Sequence, residues 1–301
     1  MDAPVGLARQ LLRSVVNLHA TVARDHPSSR ILGNERMGSG VIIDAAGLIL
    51  TVNYVVMGAQ TIYVAFGEGR RVKGEVVAQD FDVGLAVVRV KRQGLPAAFL
   101  GSAEALERGE PVAAFASTGT HERRVAGGLV TYLGEFEAYW EYLLDQGIVS
   151  SAANPGFGGG GLFTLTGCLV GIVSLNLNEI ARSSLAIPIE CFRRHQDEFL
   201  RYGRVVSRPK RAWLGIFAHP VDEGVVVASL VPDAPADKGG LKEGDVIVSL
   251  NRAEVGSRRD LYLTLWRHEP GEALAIEVMR DSALKRIDLT GGDRAEFFRQ
   301  P

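Results

Sequence analysis

The chain has 301 residues, 47% hydrophobic and 23% charged, a balance that suits two globular domains and excludes extended disorder. Its 33 basic and 35 acidic side chains leave a net charge of -2, without the basic excess a nucleic-acid-binding face needs. Two cysteines, Cys168 and Cys191, are too few for a disulfide framework and read as buried thiols. The longest apolar runs, such as Cys168–Leu177, fall well short of the ~18 residues of a membrane span. Met1-Asp2-Ala3-Pro4 lacks the basic-then-apolar pattern of an export signal. The expected compartment is cytoplasmic, or periplasmic or cell-envelope if an export segment has been removed.

In chain order, Leu7, Leu11, Leu12, Val15 and Val16 recur at helical spacing, which predicts a short amphipathic helix over Val5–Val16. From Val41 the rhythm changes. Val41–Ile43, Leu48–Leu50, Thr61–Phe66, Val72–Ala78 and Leu85–Val90 are short, rich in β-branched residues and punctuated by glycine. Val112–Ala116, Leu129–Leu133, Leu162–Leu165, Leu169–Ser174 and Ser184–Ile189 continue the pattern, as in a barrel or sandwich. Pro188 precedes a predicted helix, Ile189–Tyr202, which Gly203 is placed to cap. Arg204–Arg211 reads as a basic linker. A second unit follows, with strands at Gly224–Leu230 and Asp245–Leu250 and a helical turn at Ala236–Gly240. Ser257 and Asp260 have the spacing of a capped helix start before Leu261–Trp266, and Ala273–Met279 and Ala283–Leu289 form a closing hairpin.

The segments Gly38-Ser39-Gly40-Val41-Ile42-Ile43-Asp44 and Gly47-Leu48-Ile49-Leu50-Thr51-Val52-Asn53 resemble the start of HtrA/Deg-type serine proteases. Leu85–Val90, Ala153–Gly156, Leu169–Ile172 and Ala186–Ile189 continue the resemblance. Trp213–Ile216, Ala234-Pro235-Ala236, Gly240-Leu241 and Gly244–Ile247 resemble that family's PDZ domain, in order. The resemblance covers about residues 13–290. It implies a mostly β fold: a trypsin-like double β-barrel over 13–203, a linker at 204–211 and a PDZ domain over 212–291.

The catalytic positions depart from the family's pattern. The base histidine's place, after Thr51-Val52-Asn53, holds Tyr54. The aspartate's place, before Leu85-Ala86, holds Gly84, and the nucleophile's place in Asn154–Leu162 holds Gly158. Gly158 offers no hydroxyl, Gly84 cannot orient a base, and a tyrosine with an ordinary pKa near 10 stays protonated. Gly156, Phe157 and Gly158 form the former oxyanion loop, freed by the run Gly158–Gly161. His121 is the one histidine in a barrel loop, Ser150 and Ser151 are the hydroxyls nearest the glycine run, and Asp82 reads as a turn residue. No histidine or cysteine cluster has metal-ligand spacing, and no cofactor is expected. These positions lead to the expectation that the chain is not an enzyme: a pseudoprotease acting as a peptide-binding or scaffold protein. The alternative is a divergent serine endopeptidase of protein quality control with a relocated or residual active site.

By resemblance, the Trp213-Leu214-Gly215-Ile216 loop supplies backbone amides that capture a peptide's terminal carboxylate, as PDZ domains do. Leu214 and Ile216, with Leu261 and Leu265 at a four-residue helical spacing, would line a pocket for an apolar terminal side chain. Arg211 reads as linker charge or as a cation near that carboxylate. The expected partners are peptides or proteins with apolar C-termini, or active homologous subunits. The family's trimers use N-terminal aromatic residues, and Met1–Leu18 contains none. Glu135–Tyr142 intersperses Phe136, Tyr139, Trp140 and Tyr142 with acids; it reads as a loop, packed locally or serving as an interface.

Overall fold

A computed structural model describes residues 2–67, 69–177 and 182–299. The chain divides into two units: Met1–Arg24, Leu32–Phe136 and Leu144–Val206 in the first, and Asp25–Ile31, Glu137–Leu143 and Ser207–Pro301 in the second.

Helix α1 (Asp2–Ser14) leads into β1 (Val15–Val22). The helix predicted to reach Val16 ends two residues earlier, because Val15 and Val16 begin a buried strand. β-branched side chains are restricted in a helix and pack well on a pleated surface. After the turn α2 (Ser29–Leu32) come β2 (Glu35–Asp44), β3 (Leu48–Val52), the one-turn helix α3 (Asn53–Val56), β4 (Ala59–Ala65), β5 (Arg71–Asp80) and β6 (Leu85–Val90). Strands β1-β2-β3-β6-β5-β4 close into a barrel. Every residue of β3 is buried, which is why Leu48–Val52 is an unbroken apolar run apart from Thr51.

A second sheet joins β7 (Phe99–Leu100), β8 (Pro111–Ser117), β9 (Arg123–Ala138), β10 (Tyr142–Ser150), β11 (Gly161–Thr164), β12 (Cys168–Asn176) and β13 (Ser184–Pro188). The order is β11-β8-β9-β10-β13-β12-β7, and a further β11–β12 pairing closes the six long strands into a ring. β7 pairs parallel to β12. Cys168 and Cys191 are not joined in a disulfide and are half-buried rather than buried. The single helix predicted over Ile189–Tyr202 is two, α4 (Glu190–Arg193) and α5 (Gln196–Tyr202). His195, at φ −122° and ψ 16°, leaves helical geometry between them, and Gly203 ends α5 in the left-handed region at φ 68°.

The second unit contains β14 (Ile216–Val221), β15 (Gly224–Leu230), α6 (Pro235–Lys238), β16 (Val246–Leu250), β17 (Ala253–Glu254), α7 (Arg258–Leu265), β18 (Ala273–Arg280), β19 (Ala283–Thr290) and α8 (Arg294–Arg299). Its sheet runs β14-β15-β16-β18-β19, with β17 on β16. The predicted cap of α7 is reciprocal: Ser257 Oγ accepts from the Asp260 amide at 3.1 Å and donates to the Asp260 carboxylate at 2.6 Å. Asp245, buried at the start of β16, is gripped by Arg280 at 2.6 Å through both carboxylate oxygens. Among the described residues, no helix is long and apolar enough to cross a membrane.

Candidate functional site

Two places bear on function, one in each unit. In the first, Tyr54 sits in α3, anchored by Arg36, whose Nη1 donates to the carbonyls of Tyr54 at 3.0 Å and Met57 at 2.9 Å. The Tyr54 hydroxyl donates to the Ser174 carbonyl on β12 at 2.8 Å. Burial pushes this phenol up to about 12, so it keeps its proton across the physiological range. Gly84 lies beside α3, its carbonyl accepting the Asn53 amide at 2.7 Å. Its φ of 80° is left-handed, a conformation that strains any residue with a Cβ. The preceding turn is organised by Asp80, whose carboxylate accepts the amides of Asp82 at 2.9 Å and Val83 at 3.3 Å.

Gly158 completes this group. A Cβ there would overlap the Tyr54 hydroxyl and lie 3.1 Å from the Ser174 carbonyl. The phenol therefore fills the space a side chain at 158 would need. The loop around it is tied down rather than loose. Phe157 donates its amide to Ser117 O at 2.9 Å, and Ser39 Oγ donates to Phe157 O at 2.7 Å. The Ser39 amide donates to Gly158 O at 2.7 Å, and Gly156 N donates to Asn154 Oδ1 at 3.2 Å. So the structure sets Tyr54 against Gly158, with the hydroxyls of Ser39, Thr51 and Ser117 around Gly158 and Gly159, while Gly84 meets the first residue of α3. His121 lies elsewhere, against Gly69, and Ser151 Oγ is engaged by the Leu129 amide at 2.9 Å.

In the second unit the backbone amides of the loop before β14 converge on one carboxylate, that of Glu141. The amide of Leu214 donates to Glu141 Oε2 at 3.0 Å. Those of Gly215 and Ile216 donate to Glu141 Oε1 at 2.7 and 3.0 Å. Gly215 adopts φ 84°, and a Cβ on it would overlap Ala234, so glycine is what lets the three amides converge. Glu141 is 3% exposed. Burial raises its carboxyl above the usual range, while the three amides and the Arg294 charge pull the other way.

The chain on either side of Glu141 lies along β14 and α7. Ala218 donates its amide to Tyr139 O at 2.6 Å. Tyr262 on α7 donates its hydroxyl to Ala138 O at 2.7 Å and accepts the Glu141 amide at 2.9 Å. Arg258, one turn earlier on α7, pairs with Glu137 at 2.9 Å. The Tyr139 ring stacks on His219 with centroids 5.2 Å apart. Leu143 belongs to the same buried cluster as Leu214, Ile216, Leu261 and Leu265. Arg211 lies over the Trp266 ring, 4.7 Å from its centroid.

Glu135–Tyr142, expected as a loop, is instead the end of β9, a three-residue turn and the start of β10. Glu141 sits in that turn at φ 54°, a left-handed value unusual for glutamate. The sequence reading missed Glu141, Arg258 and Tyr262. Their only signal was the mixture of acids and aromatics in the hairpin and the four-residue spacing of Arg258 and Tyr262.

Comparison with known proteins agrees with this architecture. The trypsin-like peptidase domain family matches residues 38–172, and the PDZ domain family matches residues 212–290. A protein of Ectopseudomonas mendocina named "Probable periplasmic serine endoprotease DegP-like" is 32% identical over 292 residues, covering 90% of this chain and 59% of the relative. A protein of the same name from Halomonas elongata is 32% identical over 278 residues, covering 85% of this chain and 56% of the relative. The chain thus spans a little over half the length of these curated relatives. A solved structure described as the HtrA-type protease AlgW with a decapeptide superposes with a TM-score of 0.57 at 26% identity, covering 97% of this chain and 99% of that one.

Fold and matches together define a trypsin-like peptidase unit followed by a PDZ domain. The chain belongs to the HtrA/DegP-type family of trypsin-like peptidases with a PDZ domain. The expectation that it is not an enzyme is corrected by the same matches. The relatives are named serine endoproteases, and the peptidase-domain match over 38–172 points to an enzyme. That expectation rested on three positions alone, whereas the matches weigh most of the chain.

Proposed function

We propose that the chain is a divergent HtrA-type endopeptidase of protein quality control that recognises polypeptides through its PDZ groove. The observation that carries the recognition half is the convergence of the Leu214, Gly215 and Ile216 amides on one carboxylate. A terminal carboxylate is the group of a peptide that such a cradle reads, with β14 offering an edge for strand addition. Leu214, Ile216, Leu261 and Leu265 surround the place of the terminal side chain, which favours an apolar C-terminus. AlgW, solved with peptides, supports the reading by likeness. Burying one aliphatic side chain contributes roughly 1.5–3 kcal/mol, and ordering the peptide offsets much of it, so micromolar affinity is expected.

The hydrolytic half takes its nucleophile from a hydroxyl other than position 158, since Gly158 has none and Tyr54 is a neutral phenol. That amounts to a relocated or residual centre. The test has two arms. A peptide ending in Val binds more tightly than its amidated twin in calorimetry; equal affinities sink the recognition half. A fluorophosphonate probe labels one serine, located by peptide mapping, whose substitution abolishes cleavage. Absence of both labelling and turnover in rigorously purified protein sinks the hydrolytic half.

A further inference from the structure

We infer that Glu137–Leu143 is an internal ligand of the PDZ groove, with the Glu141 side chain standing where a peptide's terminal carboxylate would bind, so that external peptides must displace it. The inference rests on the peptide-recognition reading and adds its regulation.

Four contacts reproduce what a bound peptide has to do. Both Glu141 oxygens are held by three successive amides, which is how a terminal carboxylate is captured. The backbone of Tyr139 takes a hydrogen bond from Ala218 on β14, the edge to which a peptide strand is added. Leu143 supplies an aliphatic side chain to the buried cluster behind the cradle. Side chains of α7 hold the remainder, Arg258 on Glu137 and Tyr262 on the turn. The left-handed φ of 54° at Glu141 is held by these same contacts: the Tyr262 hydroxyl takes its amide and Arg294 Nη1 donates to its carbonyl at 3.3 Å. A glutamate side chain offers the same two oxygens as a chain terminus, and tethering gives the internal copy a high effective concentration. Weak or non-apolar termini are therefore excluded, and only a terminus able to outcompete the hairpin tip gains entry.

Three measurements on the full chain test this. In amide hydrogen exchange, residues 214–216 are protected in the native chain and exchange at least roughly tenfold faster in Glu141→Ala. In calorimetry, the free-acid peptide ending in Val binds Glu141→Ala at least about tenfold more tightly than the native chain, while the amidated peptide gains nothing. In the native chain, saturating free-acid peptide raises exchange across 137–143. If Glu141→Ala does not fold, Glu141→Gln, which keeps the volume but not the charge, gives the same directions with smaller size.

Unchanged exchange at 214–216 in either folded variant overturns the inference. So does peptide binding that leaves 137–143 protected, or equal peptide affinity with and without Glu141. Faster exchange at 214–216 with no peptide binding to any form upholds the internal ligand and overturns the peptide-recognition reading instead.

Discussion

The two functional regions are both filled by the chain's own groups, but by opposite means. At Gly158 a neutral phenol occupies volume: Tyr54 lies where a side chain would stand, and its hydroxyl donates to a carbonyl. At Leu214–Ile216 a carboxylate occupies a receptor, and every contact matches what that receptor is built to hold. A filled volume is emptied only by changing the sequence. A filled receptor is one a competitor can empty, so on the proposed reading the PDZ groove stays open to exchange while the Tyr54–Gly158 contact is fixed.

The largest expected effect comes from attacking the receptor's backbone. Gly215→Val forces a β-branched residue into φ 84° and into Ala234. Left-handed strain and overpacking together cost about 3 kcal/mol. All three tryptophans, Trp140, Trp213 and Trp266, fall in the second unit, so urea unfolding followed by tryptophan fluorescence reads it alone. A midpoint within error of the native chain would show that the glycine is dispensable and that the cradle is not built on it.

Next in size is the filled volume. Gly158→Ala collides with the Tyr54 hydroxyl and loses about 2 kcal/mol, as overpacked sites do. Tyr54→Phe removes the atom in conflict, so the double variant recovers about 1 kcal/mol relative to additivity. Unfolding followed by circular dichroism supplies the cycle. Strict additivity would mean that the two residues do not share the space, and the contrast between the regions would fail on this side.

Tyr262→Phe is milder. It removes the donor to Ala138 O and the acceptor of the Glu141 amide but keeps the ring, which stacks on Trp266 at 5.4 Å. A loss of about 1–2 kcal/mol is expected in the fluorescence transition. Because the hairpin tip loses two anchors while the cradle is untouched, affinity for a free-acid peptide rises; a fall would place Tyr262 on the side of the incoming peptide.

What the sequence disclosed and what it hid divide along the same line. The short apolar strands and the Ser257 cap follow from local pattern, and the structure places them so; Tyr54 and Gly158, far apart in sequence, lie against each other. Val15 and Val16 were assigned to the wrong element because two valines continue a helical stripe as readily as they open a strand. On α7, Leu261 and Leu265 share one stripe, while Arg258 and Tyr262 share the neighbouring one with identical spacing. Periodicity finds both stripes but does not say which one meets the hairpin. Glu141 was invisible for a stronger reason: the amides that hold its carboxylate lie 73 to 75 residues away, and nothing local distinguishes it from Glu135 or Glu137.

The smallest effect is a pH dependence that belongs to the first region. Burial raises the Tyr54 phenol to about 12, above the usual value near 10. The fold thus favours the protonated ring more than the unfolded chain does. Its contribution is complete below the ordinary value and is lost as pH rises from there through about 12. At about pH 11 the loss is about 1.4 kcal/mol, set by one unit of titration in the unfolded state. Other tyrosines and lysines titrate nearby, so the native chain alone is not decisive. The difference between the native chain and Tyr54→Phe isolates the group: the variant lacks this share of the alkaline loss in the circular-dichroism transition. Asp245 supplies the opposite limb in the second unit. Burial pulls its carboxyl up, but Arg280 and the Lys242 amide hold it below the usual range. Its contribution is present above the ordinary carboxylate value and lost as pH falls through the depressed one, and Asp245→Asn removes that share from the fluorescence transition. Glu141, raised by burial, acts with the other sign in acid, which is why the Asp245→Asn difference rather than the raw acid limb is the measurement. If the Tyr54 and Asp245 differences appear in the same limb, the phenol and the carboxylate are not in the environments that set the two regions apart.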